Sequence, residues 1–354
     1  MAFSSLSLLL LFVLPAFPAA AAATATSDCV SAGSTGLTTV VVAFAGETIS
    51  GSVNATGCDL GVYVPPGANG VMVTHAVITG ANEHAILAQN VVGFTLRDSV
   101  ITGNGLAVNP KVPDSKAVEL VGTANSTVIS NTIVANGADG GIALTDDGPV
   151  NPGALSPGVL SASVGNVVEF NFVNDTSPAN CGIVLAGFNA GAGVRDNLVL
   201  GNTILGNSPK NPGPGDGQIV IASDGPGVTI SDNAVQANTI DGSLLPGIVV
   251  HSNAPGDVIS GTDILNNNII NNGGYPVGGP FTSANDPVTA TGIAVIAEAA
   301  VHEPNPPTVT GTNVLNNLVT GDVYGIWTCQ TTQTTVVGLI GNSQTNSTSC
   351  PAGP

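Results

Sequence analysis

The chain has 354 residues and a formal net charge of −18, with only five Lys plus Arg; charged residues are 8% of the total and aromatics 4%. So acidic a chain is repelled by nucleic acid and anionic membrane surfaces, and it meets a polyuronate only through a bridging cation or an uncharged subsite. A surface this poor in charge must be built mostly from Gly, Asn, Thr and Ser, which suits a fold made of turns.

From the N-terminus, Leu6 to Phe17 is an apolar run ending in small residues. It reads as a secretory signal with cleavage near Ala21 to Ala25, although its first residues lack the usual positive charge. Residues 1–25 are therefore assigned as a signal peptide and 26–60 as an N-terminal cap with the first strands. No later stretch has the length of unbroken apolar sequence that a membrane span needs, so none is expected in the mature chain. Five Cys in an exported chain suit an oxidising compartment. Cys29 and Cys58 bracket the first segment, and Cys329 and Cys350 the last. Two terminal clamps are expected, protecting the open sheet edges from pairing with other chains. Cys181 is left as a buried free thiol.

Between the caps a phrase returns at uneven intervals: Gly or Ala, a strand of Φ-x-Φ form, a turn, then a polar-x-Φ-x-x-Asn stretch. Strand starts fall at Val62, Ile86, Val118, Ile142, Ile183, Ile219, Ile248, Ile293 and Ile326, spaced by 24 to 45 residues. Each copy holds two or three strand-length runs rich in Val and Ile, and none has the 3.6-residue period of a helix. One such coil cannot bury its apolar side alone, whereas coils stacked about 4.8 Å apart fill a continuous core. The sequence predicts an all-β, single-stranded parallel β-helix of about nine coils over residues 61–345, with a tail at 346–354. Asn131, Asn202, Asn238, Asn268 and Asn317 are expected to stack at one bend, each amide bonding its neighbour.

Side chains alternate along a strand, so rows can be carried from coil to coil. The first outward row reads Tyr63, Leu87, Glu119, Ala143, Val184, Val220, Val249, Ala294, Trp327, and the second runs from Pro65 and Gln89 to His251, Ile296 and Cys329. This face is apolar, and either long loops cover it or it binds something weakly polar. A third row brings Asp147, Asp224 and Glu298 to the strand ends, with His251 on the intervening coil. Asp147 and Asp224 lie two coils apart, roughly 9 to 10 Å, near the separation an inverting glycosidase uses for its acid and base. Asp146, Asp147, Asp224, His251 and Glu298 are thus the candidate catalytic group. Asp-Asp-Gly-Pro and Ser-Asp-Gly-Pro are also ordinary turn sequences, and an Asp there can simply hold backbone N–H groups. Asp139, Asn180 and Asp216 share one position three residues before the strand start, with Glu83 and Asp59 farther along the row. Stacked oxygens of this kind can hold Ca2+ between coils, although Asp-Gly turns account for the same residues without metal, and no cofactor is required.

The Gly-Ile strand starts and Asn-x-Ile/Val-x-x-Asn turns, over about residues 40 to 345, resemble the right-handed parallel β-helix repeat proteins of the pectin lyase-like superfamily. The resemblance implies a right-handed helix and an extracellular polysaccharide as partner, handled by a secreted or cell-surface monomer. Galacturonan hydrolases of that superfamily carry Asn-Thr-Asp, Asp-Asp, Gly-His-Gly and Arg-Ile-Lys on successive coils, and only Asp146-Asp147 is matched here. A lyase would need a basic residue, for which Arg97, Arg195, Lys111, Lys116 and Lys210 are the choices. Arg97 and Arg195 sit in similar phrases and are expected to pair with a neighbouring Asp. The expected activity is glycosidic bond cleavage; the rival is a non-catalytic adhesin or wall component.

Overall fold

A computed structural model describes residues 28–107, 111–112, 115–137, 140–148, 160–174, 181–206, 217–244, 246–252, 254–272, 291–297, 305–322, 324–329, 331, 333–338, 340–341 and 344–346. They form a parallel β-helix of three sheets, of twelve, eighteen and five strands. In the first sheet all nine strand starts share one register, from Val62 opposite Ile86 through to Ile293 opposite Ile326. The strand Thr38–Val42 adds a rung before them and Gln344–Asn346 one after. Val30–Ser31 closes the N-terminal edge as an antiparallel partner of Thr38–Val42. The Cys29–Cys58 disulfide, with Cα atoms 5.6 Å apart, fastens that cap. Cys329 is also disulfide-bonded, its expected partner Cys350 lying outside the described residues. Cys181 is free and buried, as expected.

The Gly or Ala before each strand start has a packing cause. A Cβ on Gly61 would lie 2.6 Å from both the Ala85 carbonyl oxygen and a methyl of Ile78 across the core. The residue before Φ and Φ itself therefore both face inward. The alternation breaks there, and the residue two before the strand start turns outward. Leu60 accordingly packs with Tyr63, Leu87 and Val121 rather than in the main core. That core is a single stack of Val, Ile and Leu running from Ala43 to Ile326.

At the bend inside the second sheet, residues such as Asp98, Ser130, Phe170 and Ala237 adopt left-handed backbone, and the next residue begins an amide ladder. Asn131 N–H donates to Asn171 Oδ1, Asn171 to Asn202, Asn202 to Asn238, Asn238 to Asn267 and Asn267 to Asn317, all at 2.8 to 3.0 Å. The ladder member on its coil is Asn267, not Asn268. Asn268 begins the following strand, opposite Thr239 and Leu318. Asn-Asn-Asn at 266–268 offers three candidates, and the left-handed Asn266 decides which one enters the ladder. Parallel ladders run at the neighbouring bends, through Asn166, Asn197 and Asn233 and through Asn104 and Asn136.

Arg97 and Arg195 are not equivalent. Arg97 lies in the second sheet opposite Ile129, and its guanidinium pairs with Asp98 at 2.7 Å. Arg195 lies in the third sheet opposite Val164 and Ser231, and one guanidinium N–H reaches the Ala192 carbonyl at 3.5 Å. Among the described residues no helix is long and apolar enough to cross a membrane.

Candidate functional site on the first sheet

The outward rows of the first sheet are not exposed. Tyr63, Leu87, Glu119, Ala143, Val220, Val249, Ala294 and Trp327 are all buried, as are Gln89, Val121, Thr145, Ala186, Ala222, His251, Ile296 and Cys329. An apolar face of this size is unfavourable in water, and the chain covers it. Val112, from the insertion before Val118, packs over Leu37, Tyr63, Leu87 and Val121 at the N-terminal end. Of the two possibilities the sequence leaves open, coverage is the one realised.

Beneath this cover the polar groups gather in the N-terminal coils. Asp146 and Asp147 follow the strand Gly140–Thr145, and both are fully buried. The Asp146 carboxylate accepts from the backbone N–H of Phe188 (3.0 Å), Asn189 (2.9 Å) and Gly193 (2.9 Å) and from the Asn189 amide (3.0 Å). It fixes the turn of the next coil. Asp147 exchanges two backbone hydrogen bonds with Ser161, at 2.8 and 2.9 Å. Its carboxylate accepts from the Asn90 amide and, at 3.0 Å, from the Gly148 N–H. Asn90 and Asp147 meet across Gly122, where a Cβ would stand 2.7 Å from Asn90 Oδ1. Burial pushes the Asp147 carboxyl up, the Asn90 and Gly148 hydrogen bonds pull it back, and the charge of Asp146 adds to the rise. Tyr63, whose hydroxyl donates to Gln89 Oε1 at 3.1 Å, is raised to about 12 by burial first and by Asp147 second.

Asp224 stands two rungs beyond Asp147 in the register, and its side chain is exposed. His251 lies one rung further, between Ala222 and Ile296, buried, with Nδ1 lacking a hydrogen-bond partner. The structure thus brings Asp146 and Asp147 together with Asn90, and sets Asp224 and His251 on successive rungs along the same sheet. Glu298, Asp139, Asn180 and Asp216 lie outside the described residues. Of the acidic row, Asp59 and Glu83 do occupy adjacent rungs, with the Glu83 N–H on the Asp59 carbonyl at 2.9 Å. Lys111 lies across them: its ammonium is 2.7 Å from Asp59 Oδ2 and its N–H reaches Glu83 Oε1 at 2.5 Å. Burial raises the Asp59 carboxyl, but the hydrogen bonds from Lys111 and Thr38 outweigh it and hold the group below its ordinary range. Among the described residues no cluster of three His, Cys, Asp or Glu side chains is placed to hold a metal.

Sequence reasoning missed His84 and gave no role to Glu119. His84 is fully buried, its Nδ1 2.8 Å from the Lys116 carbonyl oxygen and 3.3 Å from Glu119 Oε2. Burial is the largest influence and lowers its pKa to about 4, so the ring is neutral above that pH. The only signal in the sequence is its place two residues before a strand start. That position is read as inward unless the break in alternation is known.

A search among curated proteins finds no match by sequence. Among solved structures, the A-module of mannuronan C-5 epimerase AlgE6 from Azotobacter vinelandii is similar at 14% identity, over 87% of this chain and 78% of that one, with a TM-score of 0.50. The AlgE4 A-module from the same organism is similar at 13% identity, over 88% and 81%, with a TM-score of 0.44. The catalytic domain of a GH87 alpha-1,3-glucanase in complex with tetrasaccharides is similar at 12% identity, over 85% and 53%, with a TM-score of 0.45. Residues 38–235, more than half of the chain, match the family described as right handed beta helix region. With the parallel rungs and the shared register of its strand starts, the chain belongs to the right-handed β-helix family.

Proposed function

We propose that the protein is exported and processes an extracellular polysaccharide along the first sheet, cleaving glycosidic bonds with a carboxyl pair. The observation that carries this reading is the contrast between Asp147 and Asp224. One carboxyl is buried and pushed toward its protonated form, the other stands in water two rungs away on the same sheet. Two carboxyl groups in opposed environments divide into acid and base. The separation of roughly 9 to 10 Å expected for two rungs leaves room for the attacking water of an inverting hydrolase. His251, on the rung after Asp224, adds a ring nitrogen in need of a partner. The mannuronan epimerase module that shares this fold acts, by its name, on a polysaccharide, and the capped, disulfide-bonded chain suits an oxidising exterior.

The test is turnover on a panel of neutral and uronic polysaccharides, following reducing ends and unsaturated products together. Asp147→Asn and Asp224→Asn should each abolish release of reducing ends while the melting temperature holds. Full activity in either variant removes that residue from the pair. The burial of both outward rows favours a second reading, a non-catalytic wall or surface component. No product from any member of the panel would establish that alternative as the better one.

A further inference from the structure

Glu83–His84 and Ser115–Lys116 lie on adjacent rungs at the corner where the chain enters the first sheet. A ring nitrogen 2.8 Å from a carbonyl oxygen must carry the hydrogen, so His84 Nδ1–H donates to Lys116 and, in the neutral ring, Nε2 keeps its lone pair. That Nε2, Glu83 Oε2 and Ser115 Oγ are buried without a hydrogen-bond partner, and Asn90 Oδ1 further along the face is in the same state. All but the Ser115 hydroxyl are acceptors only. A buried acceptor needs a donor, and the protein supplies none here.

We propose that this corner is a subsite for a neutral, hydroxyl-rich glycan, whose hydroxyl groups donate to His84 Nε2 and Glu83 Oε2, and that it rejects uronate residues. The inference rests on the reading that the first sheet engages polysaccharide, and it names the substrate class. A uronate carboxylate brings acceptors to a place already furnished with them, beside Glu83, Glu119 and Asp59. Of the two lysines nearby, Lys111 already neutralises Asp59, and Lys116 is itself buried. A hydroxyl carries the missing hydrogen and no charge. A metal ion is the poorer occupant, since no three ligating groups converge among the described residues. The glycan reaches the corner when Lys111 and Val112 lift from Asp59, Glu83 and Leu87, because the Lys111 N–H occupies the other oxygen of Glu83.

The full chain labelled with 15N-histidine is titrated with a neutral glucan tetrasaccharide and, separately, with a mannuronate tetrasaccharide, reading the His84 ring nitrogens by long-range proton–nitrogen spectra. His84→Gln assigns the resonance. The expected result is a Nδ1–H tautomer in the free protein, an Nε2 resonance that moves with the neutral sugar and stays still with mannuronate, and at least tenfold weaker neutral-sugar binding in Ser115→Ala or His84→Gln. A still Nε2 with both sugars means that the corner holds only buried water and overturns the proposal, as does movement with mannuronate. The two readings fail separately. Inactive chain with a moving Nε2 sinks bond cleavage alone, and active chain with a silent Nε2 sinks the subsite alone.

Discussion

The ladder position taken by Asn104 and Asn136 is filled on a later coil by Asp322. There the Asn272 N–H donates to Asp322 Oδ1 at 2.8 Å, a carboxyl in the place of an amide. Asp322 is buried, and burial first, then the neighbouring charge of Asp241, raise its carboxyl to about 7 against the pull of the Asn272 hydrogen bond. A folded-state pKa above the unfolded value of 3.8 means that the folded chain holds the proton more tightly. Below about pH 4 both states are protonated and the site is neutral in its effect. As pH rises toward 8 the unfolded chain ionises freely while the folded one resists, so the native protein loses stability across that window. The full shift would correspond to about 4 kcal/mol, at about 1.4 kcal/mol per unit. Partial solvation of the group reduces this to about 1–3 kcal/mol. Asp322→Asn removes the titration, keeps the acceptor for Asn272, and supplies an amide that the register directs to the carbonyls of Ile269 and Thr320, as Asn272 uses those of Ile240 and Ile270. The urea midpoint of variant and parent should be close at pH 4 and separate steadily to pH 8, with the variant the more stable. A difference that is constant with pH, or a variant weaker at pH 8, refutes the reasoning.

Asn202→Ala should cost about 3 kcal/mol, because Asn202 accepts from both the N–H and the amide of Asn171 and donates to Val168 and Asn238. Asn202→Asp keeps only the acceptor and should fall between the two; equal urea midpoints for all three chains would contradict the ladder. Gly61→Ala should lose about 1–3 kcal/mol by overpacking against Ile78 and the Ala85 carbonyl, and an unchanged melting temperature would show that the corner has slack. Replacing Cys29 and Cys58 together by Ala should lower stability by about 2–4 kcal/mol, checked under non-reducing conditions; a parent insensitive to reductant would count against the cap as a stabilising clamp.

The strand starts were legible because one physical demand repeats on every coil. Φ and Φ+2 must fill the core, and the residue before them must be small enough to pass the second sheet, as Gly61 passes Ile78. The amide ladders were legible for the same reason, except where Asn266, Asn267 and Asn268 present identical chemistry and only backbone handedness separates them. The candidate site was legible only in part. The register carried Asp147 and Asp224 onto the same sheet two rungs apart, but burial depends on insertions such as the one bearing Val112, whose path no period encodes. His84 was hidden by the break in alternation at the strand start.

That break also explains why chemistry can concentrate at this corner. Elsewhere on a coil an inward residue must serve the core and a bend residue must serve a ladder, so Ile183 or Asn202 has little freedom to change. The position two before the strand start answers to neither demand. It faces outward, it is followed by a Gly or Ala that isolates it from the core, and it carries Leu60, His84, Lys116 and Cys181 on successive coils. Side chains as different as these are tolerated there because the rungs hold without them. Any recognition that distinguishes this β-helix from another can therefore be written at that corner without disturbing the stack. Exchanging Lys116 for Leu should accordingly alter ligand preference far more than the melting temperature, and a large loss of stability would show that the corner is part of the scaffold after all.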